Sequence, residues 1–148
     1  MGKKATTLIE LILAVAIIFI IGGAVIISIG IANRKQLEVD AKSFVADLWL
    51  YRELAASRRN TYIFDFDTVT DSYEIYNGSV AANNLLKTKT FRVDLASVTN
   101  FAGTPRTEMT IRPPYNAAAP ADDSIVNLTR DGRSKIITVF GDTGYIQD

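Results

Sequence analysis

The stretch from Lys3 to Lys35, KKATTLIELILAVAIIFIIGGAVIISIGIANRK, decides how this chain is organised. The 22 residues from Leu11 to Ala32 carry no charge, and Ser28 is the only ordinary polar side chain among them. As a helix they would extend about 33 Å at about 1.5 Å per residue, against a bilayer hydrocarbon core of about 30 Å. The sequence therefore predicts one membrane-spanning helix.

The flanks of this run predict its fate and its orientation. A secretory signal peptide has an apolar stretch of about 7 to 15 residues followed by a small-residue cleavage site. This run is longer and continues directly into Asn33-Arg34-Lys35, so we expect it to stay in the mature protein. Lys3 and Lys4 precede it, which places the N-terminus in the cytoplasm and the rest of the chain outside.

Glu10 places a carboxylate at the edge of the apolar run, where an ionisable group is costly. Two explanations are open. In a capping box, Thr7 at the N-cap and Glu10 three residues later would satisfy free backbone N–H groups and complement the helix dipole. Alternatively, Glu10 faces an amine supplied by another chain, and each group then compensates the other's lost solvation.

The residues around Glu10 resemble the prepilin cleavage and methylation signature of the type IV pilin-like family. The matching residues are the basic leader Lys3-Lys4, the small residue Ala5 and the run Thr7-Leu8-Ile9-Glu10. The resemblance implies that a prepilin peptidase cuts between Ala5 and Thr6 and methylates the new amine of Thr6. It also implies that Glu10 pairs with the N-terminal amine of a neighbouring subunit during filament assembly.

Beyond Asn33, the chain changes from a helical pattern to a strand pattern. After Asn60 the side chains expected to be buried alternate with those expected to be exposed, with a period of two, which is typical of a strand. An amphipathic helix to about Ser57 is predicted by apolar residues that recur at spacings of four and three, with charged residues on the other faces. The apolar positions are Leu37, Ala41, Phe44, Leu48, Tyr51 and Ala55, and the charged ones Glu38, Lys42, Asp47 and Glu53. Strands are predicted at 62–67, 72–76, 88–95, 107–112, 124–128, 135–140 and 145–147, with turns at Asn77-Gly78, Asp131-Gly132 and Gly141-Asp142-Thr143-Gly144.

The predicted fold class is α+β, a long N-terminal helix packed on an antiparallel β-sheet head, as in the pilin-like fold. The predicted organisation is a leader at 1–5, a transmembrane and filament-core helix at 6–33, and an extracytoplasmic head at 34–148. Within the head, 34–57 is the amphipathic helix and 58–148 is rich in strands.

Two stretches of the head refine the resemblance. The segment Ala55–Asn60 and the closing segment Arg130–Val139 with Gly144-Tyr145-Ile146 are similar to H-type minor pseudopilins of type II secretion and related minor pilins of type IV pili. The resemblance implies a structural role in a secretion pseudopilus or a pilus tip, and a location in the inner membrane with an extracytoplasmic head. The implied partners are prepilin peptidase, other pseudopilins, the inner-membrane assembly platform and membrane lipid.

Composition argues against catalysis. The chain has no cysteine and no histidine, which removes thiol chemistry, the usual zinc ligands and the commonest general base. We therefore predict no enzyme activity, no catalytic residue and no cofactor. The 16 basic and 16 acidic residues cancel, so partners must be recognised by local features.

Three features of the head leave alternatives open. Asp65, Asp67 and Asp71 could ligate calcium, although alternate charges on a solvated strand are the simpler interpretation, as they are for Asp122-Asp123. A loop at 112–123 carries Tyr115, either as a contact for a neighbouring subunit or folded back on the sheet. An alternative function is DNA capture for uptake by five basic residues, although the head holds 14 basic and 15 acidic residues. These five are Arg58, Arg59, Arg130, Arg133 and Lys135.

Overall fold

The computed structural model describes residues 7–113, 123–140 and 145–147, and its first element is one continuous helix. This helix, α1, runs from Leu8 to Arg58 over 51 residues, which confirms the predicted helix from about Thr7 to Ser57. From Ile31 to Arg58 the sequence contains neither glycine nor proline, so nothing interrupts the backbone hydrogen bonds there. The helix stops at Arg59, whose φ of 55° is left-handed.

The head contains two four-stranded antiparallel sheets, where the sequence suggested one. The first sheet has the order β3-β2-β1-β5 and the second the order β4-β6-β7-β8. The antiparallel α+β class is thus confirmed at this level. The strands are β1 Tyr62–Asp67, β2 Ser72–Asn77, β3 Leu85–Thr90, β4 Asp94–Thr99, β5 Glu108–Ile111, β6 Ser124–Arg130, β7 Arg133–Phe140 and β8 Tyr145–Gln147.

The predicted strand at 88–95 is wrong, because the chain leaves the first sheet and enters the second within it. Strand β3 ends at Thr90 and β4 begins at Asp94. Phe91 and Val93 in this crossover are both buried, which mimics the apolar content of a strand. The Asn77-Gly78 turn also differs, since it opens a longer connection that includes a 3-10 turn at Ala82–Asn84.

One hydrophobic core joins α1 to both sheets. The six predicted apolar positions of the helix are all buried, which confirms the stripe. Phe44 lies at the centre of the aromatic part of this core, with its ring centroid 5.1 Å from Tyr73, 5.8 Å from Phe91 and 5.9 Å from Phe66. The second sheet contributes inward side chains such as Val126 and Ile137, both fully buried.

The strands run along the helix, so the head has two distinguishable ends. Tyr62 at the start of β1 packs on Tyr51, whereas Phe66 near its end packs on Phe44, one to two turns closer to the N-terminus. The β6–β7 turn at Asp131-Gly132 reaches still closer, because the Asn33 amide donates a hydrogen bond to the Asp131 carboxylate. We call the end near Asn33 the proximal end and the end near Arg59 the distal end.

Candidate assembly surface

The start of α1 has the backbone geometry of an N-cap. Thr7 is extended (φ −72°, ψ 149°), and its carbonyl accepts hydrogen bonds from the backbone N–H groups of Glu10 and Leu11 at 3.0 and 3.2 Å. Its side chain, however, makes no capping hydrogen bond. The capping box therefore has its cap residue in place, but the threonine hydroxyl oxygen accepts no hydrogen bond from a backbone N–H of the first turn.

Glu10 lies exposed in the first helical turn. Within the part of the chain that the structure describes, no hydrogen bond or ion pair reaches its carboxylate. The positive end of the helix dipole favours a negative charge there but leaves the carboxylate oxygens open to an external donor. Ala5 and Thr6, where cleavage and methylation are predicted, lie outside the described residues, as do Lys3 and Lys4.

The first turns of α1 expose apolar side chains on every face. The exposed fractions of its large hydrophobic residues between Leu8 and Ile21 range from 44% at Val15 to 78% at Leu8. Among the described residues the buried core begins at Leu37, so it does not reach these side chains. A continuous apolar surface of this length implies burial against something outside the chain. Judged on the described residues alone, no helix combines enough length and hydropathy to cross a membrane.

Asp47 fixes α1 to the edge strand β3, although the sequence placed it away from the apolar face. The predicted position of Asp47 on an exposed face of the helix is wrong, because its side chain is buried. Its carboxylate accepts hydrogen bonds from Lys87 at 2.8 Å and from the Tyr73 hydroxyl at 2.6 Å, and Lys89 lies at 3.3 Å. Burial alone would raise the pKa of Asp47, but the bonds from Lys87 and Tyr73 and the charge of Lys89 lower it below its ordinary value.

Two further carboxylates hold the crossover between the sheets. Asp40 on α1 accepts from the backbone N–H of Arg92 at 2.5 Å, and Asp71 accepts from the backbone N–H of Leu95 at 2.8 Å. Sequence reasoning did not find these roles. A usable signal existed for the helix, since Asp40 and Asp47 lie seven residues apart and border the apolar stripe on the same side.

The predicted alternative of a calcium site gains no support from the positions of its three carboxylates. Asp67 bonds within its own turn, to the backbone N–H of Val69 and the hydroxyl of Thr70, both at 2.8 Å. Asp71 accepts from Leu95 in β4, and Asp65 lies between Glu74 and Glu108 on the neighbouring strands. Among the described residues, no group of three or more Asp, Glu, His or Cys side chains could hold a metal ion. Asp122 lies outside the described residues.

The five basic residues considered for DNA do not form one surface. Arg58 ends α1 and Arg59 caps it at the distal end, whereas Arg130 and Arg133 flank the turn that reaches Asn33. The 25 helical positions between residues 33 and 58 separate the two groups by about 37 Å. Lys135 lies two register pairs further along the hairpin, opposite Leu128. Tyr115 lies outside the described residues.

The arrangement offers a binding chemistry: an open carboxylate at the start of an exposed apolar helix, carried by a rigid head. The carboxylate can accept hydrogen bonds from a cationic group, and the apolar surface can be buried against lipid or other helices. Comparison of the chain with models of known protein families, with curated proteins and with solved structures finds no match.

Proposed function

We propose that this chain is a filament subunit with a pilin-like fold, a minor pseudopilin of a type II secretion pseudopilus or a minor pilin of a type IV pilus tip. The observation that carries the proposal is the division of one helix into two parts. Residues 8–21 of α1 leave their large apolar side chains exposed, and residues from Leu37 onward are buried under two antiparallel sheets. A helix divided in this way can serve both as a membrane anchor and as the core of a filament.

The anchor is the uncharged run from Leu11 to Ala32 in the inner membrane, with the head on the extracytoplasmic side. Before assembly the run is solvated by lipid. During assembly it packs among the corresponding helices of other subunits, which replace lipid contacts by helix contacts. The partners are other pseudopilins and the assembly platform that extracts the subunit.

Glu10 sets the register of assembly by pairing with the N-terminal amine of a neighbouring subunit. A carboxylate among apolar helices loses several kcal/mol of solvation free energy, and so does an ammonium group. Pairing of the two groups recovers much of this cost. Support comes from the open carboxylate in the first turn of α1. The amine is that of Thr6 after prepilin peptidase has removed residues 1–5.

Mass spectrometry of the mature protein from its native host tests the class. The expected result is a chain that begins at methylated Thr6. A chain that retains Ala5 and the residues before it would contradict the proposal, since an uncleaved N-terminus cannot present its amine beside Glu10.

Replacing Glu10 by alanine tests the assembly role. Glu10→Ala should remain in the membrane but form far fewer crosslinks to neighbouring pseudopilins, because the incoming amine finds no counter-charge. Glu53→Ala is the matched control, since Glu53 is an exposed glutamate on the same helix. Equal crosslinking of wild type and Glu10→Ala would refute the pairing.

A further inference from the structure

We propose that the tip of the β6–β7 hairpin, together with Arg34 and Lys35, binds the phosphates of lipid headgroups at the surface of the bilayer that holds α1. We call residues 34–35 and 130–133 the proximal basic surface. The proposal rests on the proposed function, because it requires α1 to be anchored in a bilayer. It adds a lipid partner for the head itself.

The hairpin tip lies level with the end of the uncharged run. Ala32 is the last residue of that run, and the side chain of the next residue, Asn33, donates a hydrogen bond to Asp131 at the tip. If the hydrocarbon core ends near Ala32, the tip lies in the headgroup layer, which adds about 5 to 8 Å on each side of the core. The head thus meets the bilayer surface through this turn.

The tip is also held rigidly. Asp131 and Gly132 both have positive φ, 51° and 73°, which is the geometry of a two-residue turn matched to the strand twist. Arg130 and Arg133 pair directly across the hairpin. In addition, Arg130 Nη1 donates to the backbone carbonyl of Arg92 at 2.6 Å, which ties the hairpin to the crossover. The turn therefore cannot swing away from the helix without breaking these contacts.

The charges at this level suit phosphate. Arg133 and Lys35 are exposed, and the Arg34 side chain is 71% exposed with only a 3.9 Å contact to Glu38, which is a weak surface pair. Asp131 is the one acidic residue of this surface against four basic ones, and its carboxylate accepts a hydrogen bond from Asn33. Basic residues next to a bilayer are attracted to anionic headgroups, and arginine binds phosphate oxygens in a bidentate manner.

Lipid fits this surface better than DNA does. The remaining residues considered for DNA, Arg58 and Arg59, lie at the distal end, so these five candidates do not form one continuous basic track. Duplex DNA presents one negative charge per about 1.7 Å and is bound through several phosphates along such a track. A compact basic surface beside the end of an apolar helix instead matches a headgroup layer.

The chain contains no cysteine, so single introduced cysteines can report its distance from lipid. A fluorophore is attached to Ser134→Cys, beside the tip, or to Ala102→Cys, in the exposed turn after the distal end of β4. The full-length protein is reconstituted into phosphatidylcholine and phosphatidylglycerol vesicles that contain a headgroup-nitroxide lipid. We expect the nitroxide to quench the label at 134 several-fold more strongly than the label at 102. Equal quenching would overturn the proposal.

Charge reversal separates phosphate binding from mere proximity. Arg133→Glu should reduce quenching at 134, whereas Arg112→Glu should not, because Arg112 follows the distal end of β5. Arg133→Gln should show an intermediate loss and guards against misfolding of the reversed variant. Quenching that is unchanged by both Arg133 variants would refute the phosphate contact.

Two further readouts distinguish this proposal from the others. A gel shift with duplex DNA that is lost in Arg133→Glu, combined with equal quenching at 134 and 102, would assign the surface to DNA instead. Flotation of the vesicles tests the anchor separately. Protein that fails to float with the vesicles would contradict the proposed function, whereas protein that floats but shows equal quenching would contradict only the lipid contact of the head.

Discussion

At the scale of single residues, two aspartates of the head lie in opposite electrostatic surroundings. Asp47 is surrounded by donors, and its pKa is lowered despite burial. For Asp65, burial raises the pKa first, and the carboxylates of Glu108 and Glu74 directly opposite on the flanking strands raise it further. Ionised Asp47 therefore favours the folded state, whereas ionised Asp65 opposes it.

Asp47→Asn should destabilise the head by about 2 kcal/mol at pH 7, because it leaves the ammonium groups of Lys87 and Lys89 without a charge partner. The loss should shrink as pH falls through the lowered pKa of Asp47, since the wild-type carboxylate is then protonated too. Denaturant unfolding of the full chain in detergent, followed by near-UV circular dichroism, measures this change in the free energy of unfolding.

The control is Asp94→Asn, at an exposed aspartate, which should change the free energy of unfolding by less than about 0.5 kcal/mol. Equal effects of the two variants would contradict the role of the cluster.

Asp65→Asn should stabilise the head by up to about 1 kcal/mol at pH 7, because like charges directly opposite in a sheet repel. The gain should disappear below about pH 4, where the ordinary aspartate is protonated and the repulsion is already absent. The same unfolding assay across pH measures it. Asp67→Asn, two residues along the same strand, should instead destabilise, since Asp67 organises its turn and these bonds lower its pKa. A gain at pH 7 that persists at pH 3 would rule out charge repulsion as its cause.

At the scale of elements, Phe44 is the helix residue at the centre of the aromatic part of the core. Phe44 contacts aromatic rings from β1, β2 and the crossover in edge-to-face geometry, which adds to the burial term. Two of these segments are neighbouring strands of the first sheet and the third connects it to the second, so the ring packs against all three at once.

Phe44→Ala should destabilise the head by about 3 to 5 kcal/mol, because it opens a cavity among rings that cannot collapse together. Trp49→Ala is the matched control on the same helix. Trp49 is 46% exposed and its ring lies 4.9 Å from the Arg52 guanidinium, so its loss should cost about 1 kcal/mol or less. Unfolding midpoints that shift equally in both variants would show that Phe44 does not organise the core.

At the scale of the whole molecule, the sequence predicted what depends on periodicity and missed what depends on distant contacts. The helix, the buried stripe and the Asp131-Gly132 turn follow from local patterns and are confirmed. The division into two sheets was missed, because buried Phe91 and Val93 in the crossover are apolar like a strand.

In the candidate site too, the sequence revealed one residue and missed the contacts between distant residues. Glu10 stands out because a charge beside an apolar run is conspicuous in the sequence alone. The roles of Asp40 and Asp47 and the bond from Asn33 to Asp131 join residues 52, 40 and 98 positions apart, and no local spacing encodes them. Helical position alone could have indicated that the two aspartates border the core, but the sequence pattern placed Asp47 away from it.

Gly22 provides a test of whether the exposed part of α1 is an interface between subunits. A methyl group added at Gly22 would meet nothing within 4 Å inside the chain, so Gly22→Ala should leave the stability of the head unchanged and favour the helix locally by about 1 kcal/mol. In a bundle of helices, however, small residues let backbones approach closely, and the added methyl would separate them. Gly22→Ala should therefore form fewer subunit crosslinks than wild type while unfolding at the same denaturant concentration. Val15→Ile adds one carbon to an already bulky exposed position of the same segment and should affect assembly less. The unfolding assay reports on the head, and the crosslinking assay reports on contacts between subunits. If Gly22→Ala forms as many crosslinks as wild type, Gly22 faces lipid rather than a neighbouring helix.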